Sequence, residues 1–224
     1  MRALLLAASL LAAAGAAAQV PPGRSEVAAY TGVHRAAVLD DAAAIRKLVA
    51  EGASPDARDA ARRTPLHVAA FFARHQAMRA LAAAGADVNA VEGDRYDMVT
   101  IASVANDVPT LKLALALGNS AKNITSRYDG TALIAAAHLG HADVVRTLIQ
   151  AGAPLDHVNN LGWTAVIESI VLGDGGARHQ DTLRALVDAG ASTKIADRQG
   201  HAPLDLAKGR GYKEMVRILE GARK

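Results

Sequence analysis

The 224-residue sequence has no cysteine. That excludes disulfides, thiolate metal sites, thiol catalysis and anchoring through a lipidated cysteine. Aromatic residues are scarce, at 3%, so any core must be filled by small and medium side chains. With 51% hydrophobic residues, Ala and Leu foremost, the composition suits closely packed helices better than an α/β or sandwich core. A charge of one sign is also missing: 25 Lys and Arg face 22 Asp and Glu. The signs are interspersed, apart from a mildly basic end (Lys208, Arg210, Lys213, Arg217, Arg223, Lys224). A nucleic-acid binder gathers more positive charge on one face, so nucleic acid is not an expected partner. The usual catalytic signatures are absent too: no Gly-x-Ser-x-Gly, no phosphate-binding Gly-Lys-Thr/Ser loop and no His-Glu-x-x-His.

The first residues bear on the compartment. Met1-Arg2 is a short positive start, and Ala3 to Ala14 is uncharged and rich in Leu and Ala. Ala16-Ala17-Ala18 then offers the small-x-small pattern of a cleavage site, followed by Gln19. The segment predicts a secretory signal peptide over 1–18, cleaved near Ala18. A membrane-spanning helix needs about 20 apolar residues, and Gln19-Val20-Pro21-Pro22-Gly23-Arg24 breaks the run too early. No stable membrane anchor is expected. Residues 19–30 read as a linker and 31–224 as the folded domain.

That domain repeats itself. Thr64-Pro65-Leu66-His67-Val68-Ala69 is followed by Gly85-Ala86-Asp87-Val88-Asn89. The same frame returns at Thr131-Ala132-Leu133-Ile134-Ala135-Ala136 with Gly152-Ala153, at Thr164-Ala165-Val166-Ile167 with Gly190-Ala191, and upstream at Thr31-Gly32-Val33-His34-Arg35-Ala36 with Gly52-Ala53. Weaker copies begin at Asp97 and Ala202. The starts at 31, 64, 97, 131, 164 and 202 are spaced by 33 residues, with one extra residue before Thr131 and five inside the unit beginning at Thr164. These residues resemble the ankyrin family, whose repeat has this length and a Thr-Pro-Leu-His-x-Ala opening. The expected fold is an all-α ankyrin-repeat solenoid of about six helix-turn-helix repeats with short β-turn fingers.

Physical chemistry supports the frame independently. Thr caps the first helix and Pro fits its first position. Ala five residues beyond the Thr lets a neighbouring helix approach, and Gly52, Gly85, Gly118, Gly152 and Gly190 end the second helix in the left-handed conformation. Each unit buries its apolar face only by stacking on its neighbours. The first and last units carry charged residues suited to solvated ends.

Large aromatics avoid the core positions of this frame. Tyr30, Tyr96 and Trp163 stand immediately before the first residue of their hexapeptides, where Arg63 and His201 stand in other units. Phe71 and Phe72 lie seven and eight residues beyond Thr64, and Tyr128 lies on the turn before Thr131, its register shifted by the extra residue. The resemblance implies that these positions sit on protruding turns and on a helix face that meet partners. Aromatics and Arg are enriched at binding hot spots, so a row through Tyr30, Arg63, Phe71, Phe72, Tyr96, Tyr128, Trp163 and His201 is the expected partner-binding face. The alternative is that the aromatics pack between turns and stiffen the array.

The insertion Gly173-Asp174-Gly175-Gly176-Ala177-Arg178-His179 is either a projecting loop offering Asp174, Arg178 and His179 or a surface insertion without contacts. His34 and His67 share the fourth hexapeptide position and His141 a Gly-His slot, which implies structural roles. His138 and His141 lie one helical turn apart and could share a metal, but lack an evident third ligand. No metal, cofactor or catalytic residue is expected. The expected function is a non-catalytic protein–protein interaction module, monomeric and exported, in a Gram-negative host to the periplasm. Two alternatives stand beside it. One, implied only by resemblance, is an accessory factor supporting a catalase or haem enzyme in peroxide protection. The other is a metal-dependent enzyme built on the insertion and His138/His141.

Overall fold

A computed structural model describes residues 19–222. The segment read as a signal peptide lies outside them. Thirteen helices and no strand occur among the described residues. After α1 (Arg24–Ala29), helices come in pairs: α2 (Gly32–Val38) with α3 (Ala42–Ala50), α4 (Pro65–Phe71) with α5 (His75–Ala83), and α6 (Met98–Val104) with α7 (Val108–Ala116). The series continues with α8 (Ala132–Leu139) and α9 (Ala142–Gln150), α10 (Ala165–Val171) and α11 (Ala177–Asp188), and α12 (Pro203–Gly209) and α13 (Lys213–Gly221).

Local chemistry starts four of the six first helices where the repeat frame places them, while Thr31 and Ala202 make no side-chain cap bond. Thr64, Asp97, Thr131 and Thr164 each accept a hydrogen bond from the backbone N–H three residues on, which satisfies one of the free donors of the first turn. The second helices α3, α5, α7, α9 and α11 each end on a glycine at positive φ, from Gly52 at 97° to Gly190 at 91°. The hydrogen bond from the Ala53 N–H to the Leu48 carbonyl, repeated by Ala86 and Leu81, Ala153 and Leu148, and Ala191 and Leu186, closes the helix end.

Stacking supplies the core. First helices pack on first helices and second helices on second helices, giving two layers along the array. Ala69, Ala102, Ala136 and Ala207 are all essentially buried at the position five beyond each cap, where one first helix lies against the next. Ser169 takes that place in α10 and donates its hydroxyl to the Val166 carbonyl at 2.8 Å, so the polar atom is satisfied inside its own helix.

Between units the chain forms fingers. In four of them a backbone N–H bonds the carbonyl four residues later: Asp59 to Arg63, Glu92 to Tyr96, Asn159 to Trp163 and Asp197 to His201. The finger before Thr131 carries the extra residue, and there Thr125 pairs with Gly130 instead. Successive fingers are joined by Gly93 N–H to Ala61 carbonyl, Ser126 N–H to Arg95 carbonyl and Asn160 N–H to Tyr128 carbonyl. A Cβ on Gly93 would lie 2.7 Å from the Ala61 carbonyl oxygen, so this approach requires glycine.

Two segments depart from the sequence expectation. Residues 19–30, read as a linker, contain helix α1 and are tied down: Arg63 pairs with Glu26 and with Asp59, and Pro22 is buried. The insertion in the fifth unit does not project. It lengthens α11 to 12 residues, against nine for the other second helices. Its glycine bend folds down under Tyr212, whose hydroxyl donates to the Gly173 carbonyl at 3.0 Å. Gly173 and Gly175 are needed there, since a Cβ on either would meet His179 or the Tyr212 ring at under 3 Å.

Candidate partner-binding face

The residues seven and eight beyond each helix cap form a row from unit to unit. They are Val38 and Leu39, Phe71 and Phe72, Val104 and Ala105, His138 and Leu139, and Val171 and Leu172. Most are half-buried, while Leu39 and Leu172 remain 58% and 37% exposed. One apolar side chain in water means little, but here the same two positions recur through five units and set this face apart from the rest of the surface.

The finger residues behave less uniformly. Tyr30 is half-buried, its ring stacked on His34 at a 5.2 Å centroid distance and its hydroxyl donating to Asp59 at 2.6 Å. Burial and the Asp59 carboxylate push its phenol well above the usual range. Tyr96 is half-buried against the core, and desolvation raises its phenol likewise. Trp163 is half-buried and fixed through its backbone, its N–H donating to the Asn159 side-chain oxygen at 3.0 Å. Among the described residues its indole N–H has no acceptor, an apolar ring with an unused polar tip. Gly130 takes the slot before Thr131, so Tyr128 lies within the longer turn, half-buried, with its carbonyl accepting from Asn160. His201 is exposed and faces Asp197 at 3.3 Å.

Two expected site residues lie inside instead. Arg63 is only 3% exposed: its guanidinium is spent on Asp59 and Glu26, because the N-terminal segment folds over it. His179 is 5% exposed; its Nδ1 faces Asp174 at 2.8 Å and its Nε2 faces the His138 carbonyl at 2.9 Å. Both ring nitrogens are thus engaged within the protein, so the ring is held in place and not offered to a partner. Asp174 is held as an ion by the Gly176 N–H and His179, which keep its carboxyl below the usual range. Of the insertion residues expected to meet a partner, Arg178 is exposed and without a side-chain hydrogen bond among the described residues.

The remaining histidines serve the fold. His67 accepts the Thr64 N–H at Nδ1 and donates from Nε2 to the Ala90 carbonyl at 3.0 Å, and burial lowers its pKa to about 4. His34 bonds the Arg63 carbonyl and His141 the Ser103 carbonyl. His141 thus points at a neighbouring unit while His138 faces Glu168. No cluster of three or more His, Cys, Asp or Glu suited to a metal occurs among the described residues. Nor is any described helix long and apolar enough to cross a membrane.

Sequence reasoning missed one group. Glu168, in α10, is 5% exposed and accepts from the Asn159 side-chain amide at 2.7 Å, with His138 Nδ1 at 3.6 Å from its other oxygen. Burial pushes its carboxyl up to about 7, against the Asn159 hydrogen bond, which lowers it. Desolvation, with help from His179, pushes His138 down. The signal was in the sequence. The slot four beyond each cap holds Arg35, Val68, Ile101, Ala135 and Leu206 elsewhere, and the finger slot occupied by Asn159 holds Asp59, Glu92 and Asp197.

Paired helices stacked in two layers and joined by fingers define a helix-turn-helix repeat solenoid, with a row of apolar and aromatic side chains along it. Known proteins agree. A family described as ankyrin repeats (3 copies) matches residues 99–197, and a single ankyrin repeat matches 62–92. The ankyrin repeat protein YahD of Escherichia coli (strain K12) is 33% identical over 123 residues, 54% of this chain. That alignment spans 61% of YahD. Among solved structures, an ankyrin repeat domain from Acinetobacter baumannii AYE is 41% identical with TM-score 0.79, covering 85% of this chain and 97% of that one. The ankyrin repeat protein EF0377 is 30% identical with TM-score 0.78, covering 85% and 98%. The ankyrin repeat domain of Bcl-3, at 21% identity and TM-score 0.70 over 86% and 99%, shares the fold. The chain belongs to the ankyrin repeat family, and its repeats mark a protein-interaction module.

Proposed function

We propose that this protein is a non-catalytic binding module, exported after cleavage near Ala18, whose partner lies along the concave face formed by the first helices and the fingers. The observation that carries this reading is the row from Leu39 through Phe72 and Leu139 to Leu172, flanked by Tyr96 and Trp163. It is apolar, partly exposed and repeated in register. Arg63 and Tyr30 belong to the packing of the N-terminal segment, so the partner's finger contacts begin at Tyr96. Trp163 is the principal anchor, with a half-buried ring and a free indole N–H. Arg178, at the margin, adds a charge that steers rather than holds.

The test begins with capture of the partner by the mature protein from its native compartment and identification by mass spectrometry. Binding of that purified partner is then compared for wild type, Trp163→Ala and Phe72→Ala. Truncating an anchoring aromatic costs about 2 kcal/mol or more, so Trp163→Ala should weaken binding by tens of fold, with thermal midpoint and helical signal nearly unchanged. Undiminished binding, or a loss that tracks unfolding, would remove Trp163 from the site.

A further inference from the structure

Glu168 is the one acid in a helix slot that is apolar in every other unit but the first, and its surroundings connect it to the candidate anchor. The Asn159 amide faces two ways. Its Nδ2 donates to Glu168 at 2.7 Å, while its Oδ1 accepts the Leu161 and Trp163 backbone N–H groups, each at 3.0 Å. One buried amide, 4% exposed, therefore joins the acid on α10 to the finger that carries Trp163. In the other fingers the same slot holds Asp59, Glu92 or Asp197, each accepting backbone N–H groups of its own finger. An amide replaces the acid in the finger that meets the buried Glu168 carboxyl, where two carboxylates could not both ionise.

We propose that Glu168 is a positioning residue for the partner face: its protonation state, passed through Asn159, sets how firmly the Trp163 finger is held. This rests on the proposed role of Trp163 in binding. Protonated, Glu168 is a neutral group that tolerates its dry site and keeps the Asn159 bond. Ionised, it becomes a buried anion with one direct donor, and the junction between the fourth and fifth units loosens.

The neighbouring charges do not cancel that anion. From α8, His138 stands at 3.6 Å, too far for a hydrogen bond, and burial keeps it neutral in the range where Glu168 ionises. From the insertion and α11, His179 is turned to Asp174 and to the His138 carbonyl. From α12, Asp205 bonds the Ala202 N–H and Lys208 pairs with Glu220. The direction follows from linkage. The folded protein holds the Glu168 proton up to about pH 7, against an ordinary value of 4.5. Stability from this group is therefore complete at acid pH and is lost as pH rises through about 7.

Trp163 is the chain's one tryptophan, so its fluorescence reports the finger without any partner. Emission and thermal midpoint of the mature protein are followed from about pH 5 to about pH 9 for wild type, Glu168→Gln and His138→Gln. Wild type should show one transition centred near 7, with a lower midpoint on the alkaline side. Glu168→Gln, a permanent stand-in for the neutral acid, should keep the low-pH emission throughout, its midpoint changing only below about pH 6.5 where His67 is linked to folding, while His138→Gln keeps the transition. Should Glu168→Gln fail to fold, infrared difference spectra of the wild-type carboxylic C=O band supply the titration of the acid directly. Flat wild-type fluorescence, or a transition that survives in Glu168→Gln, overturns the proposal. Either result leaves the role of Trp163 in binding intact, just as unaltered binding by Trp163→Ala would leave the coupling intact.

Discussion

Exchanging Asn159 for Asp isolates the contact between the fourth finger and α10. An Asp there keeps the finger's own hydrogen bonds, because Asp59 and Asp197 accept the equivalent N–H groups in theirs. Only the bond to Glu168 changes: a donor 2.7 Å away becomes an acceptor. The lost bond to a charged acceptor is worth about 2 kcal/mol. Two carboxylates about 3 Å apart repel by about 5 kcal/mol at an effective dielectric near 20, so the pair holds one proton well above neutrality. Keeping it costs about 1.4 kcal/mol for each pH unit above about 7, where wild-type Glu168 gives up its own proton, until the pair's pKa is reached. The expected destabilisation is therefore about 2–4 kcal/mol near pH 8, falling to about 1 kcal/mol near pH 5, where a shared proton restores an O–H···O bond. Urea unfolding at the two pH values measures it. Combining Asn159→Asp with Glu168→Gln returns an N–H donor to the pair and should recover most of the loss. An equal loss at both pH values, or no recovery in the double variant, would refute the reasoning.

Two further effects follow from the same packing. His67 is buried neutral with its pKa lowered to about 4, so the stability it contributes is present above about pH 6.5 and lost as pH falls through about 4, at most about 3 kcal/mol. Acid unfolding in the Glu168→Gln background, which removes the opposing titration, should show this decline, and His67→Gln should flatten it. Ala136 is fully buried where α8 meets its neighbouring first helices. Ala136→Leu should cost about 1–3 kcal/mol, seen as a lower urea midpoint with the helical signal retained.

The repeat frame was legible because its determinants are local. Thr caps, the alanine at close helix approach and the glycine at the end of a second helix follow rules that act within a few residues, and they reappear in most units, with Thr31 making no side-chain cap bond and Ser169 standing for the alanine in α10. The slots before and within each first helix could be assigned for the same reason. What those slots face depends on residues far along the chain. Nothing beside Arg63 announces that Glu26, 37 residues earlier, will pair with it. Likewise the glycines of the insertion read equally well as a projecting loop, until Tyr212 of the next unit covers them. Glu168 and Asn159 could have been found by comparing units slot by slot, since each breaks its column. That comparison reveals the exception, while the 2.7 Å bond that explains it exists only in the fold.

In the proposed function one face of the array, the first-helix row with its fingers, receives the partner. Backbone hydrogen exchange of the mature protein, with and without saturating partner, tests it most directly. Added protection should fall on the ends of α4, α6, α8 and α10 around Phe72, Ala105, Leu139 and Leu172 and on the finger of Trp163, leaving α5, α7 and α9 unchanged. Protection concentrated on those second helices, with the first-helix row unaltered, would contradict the account.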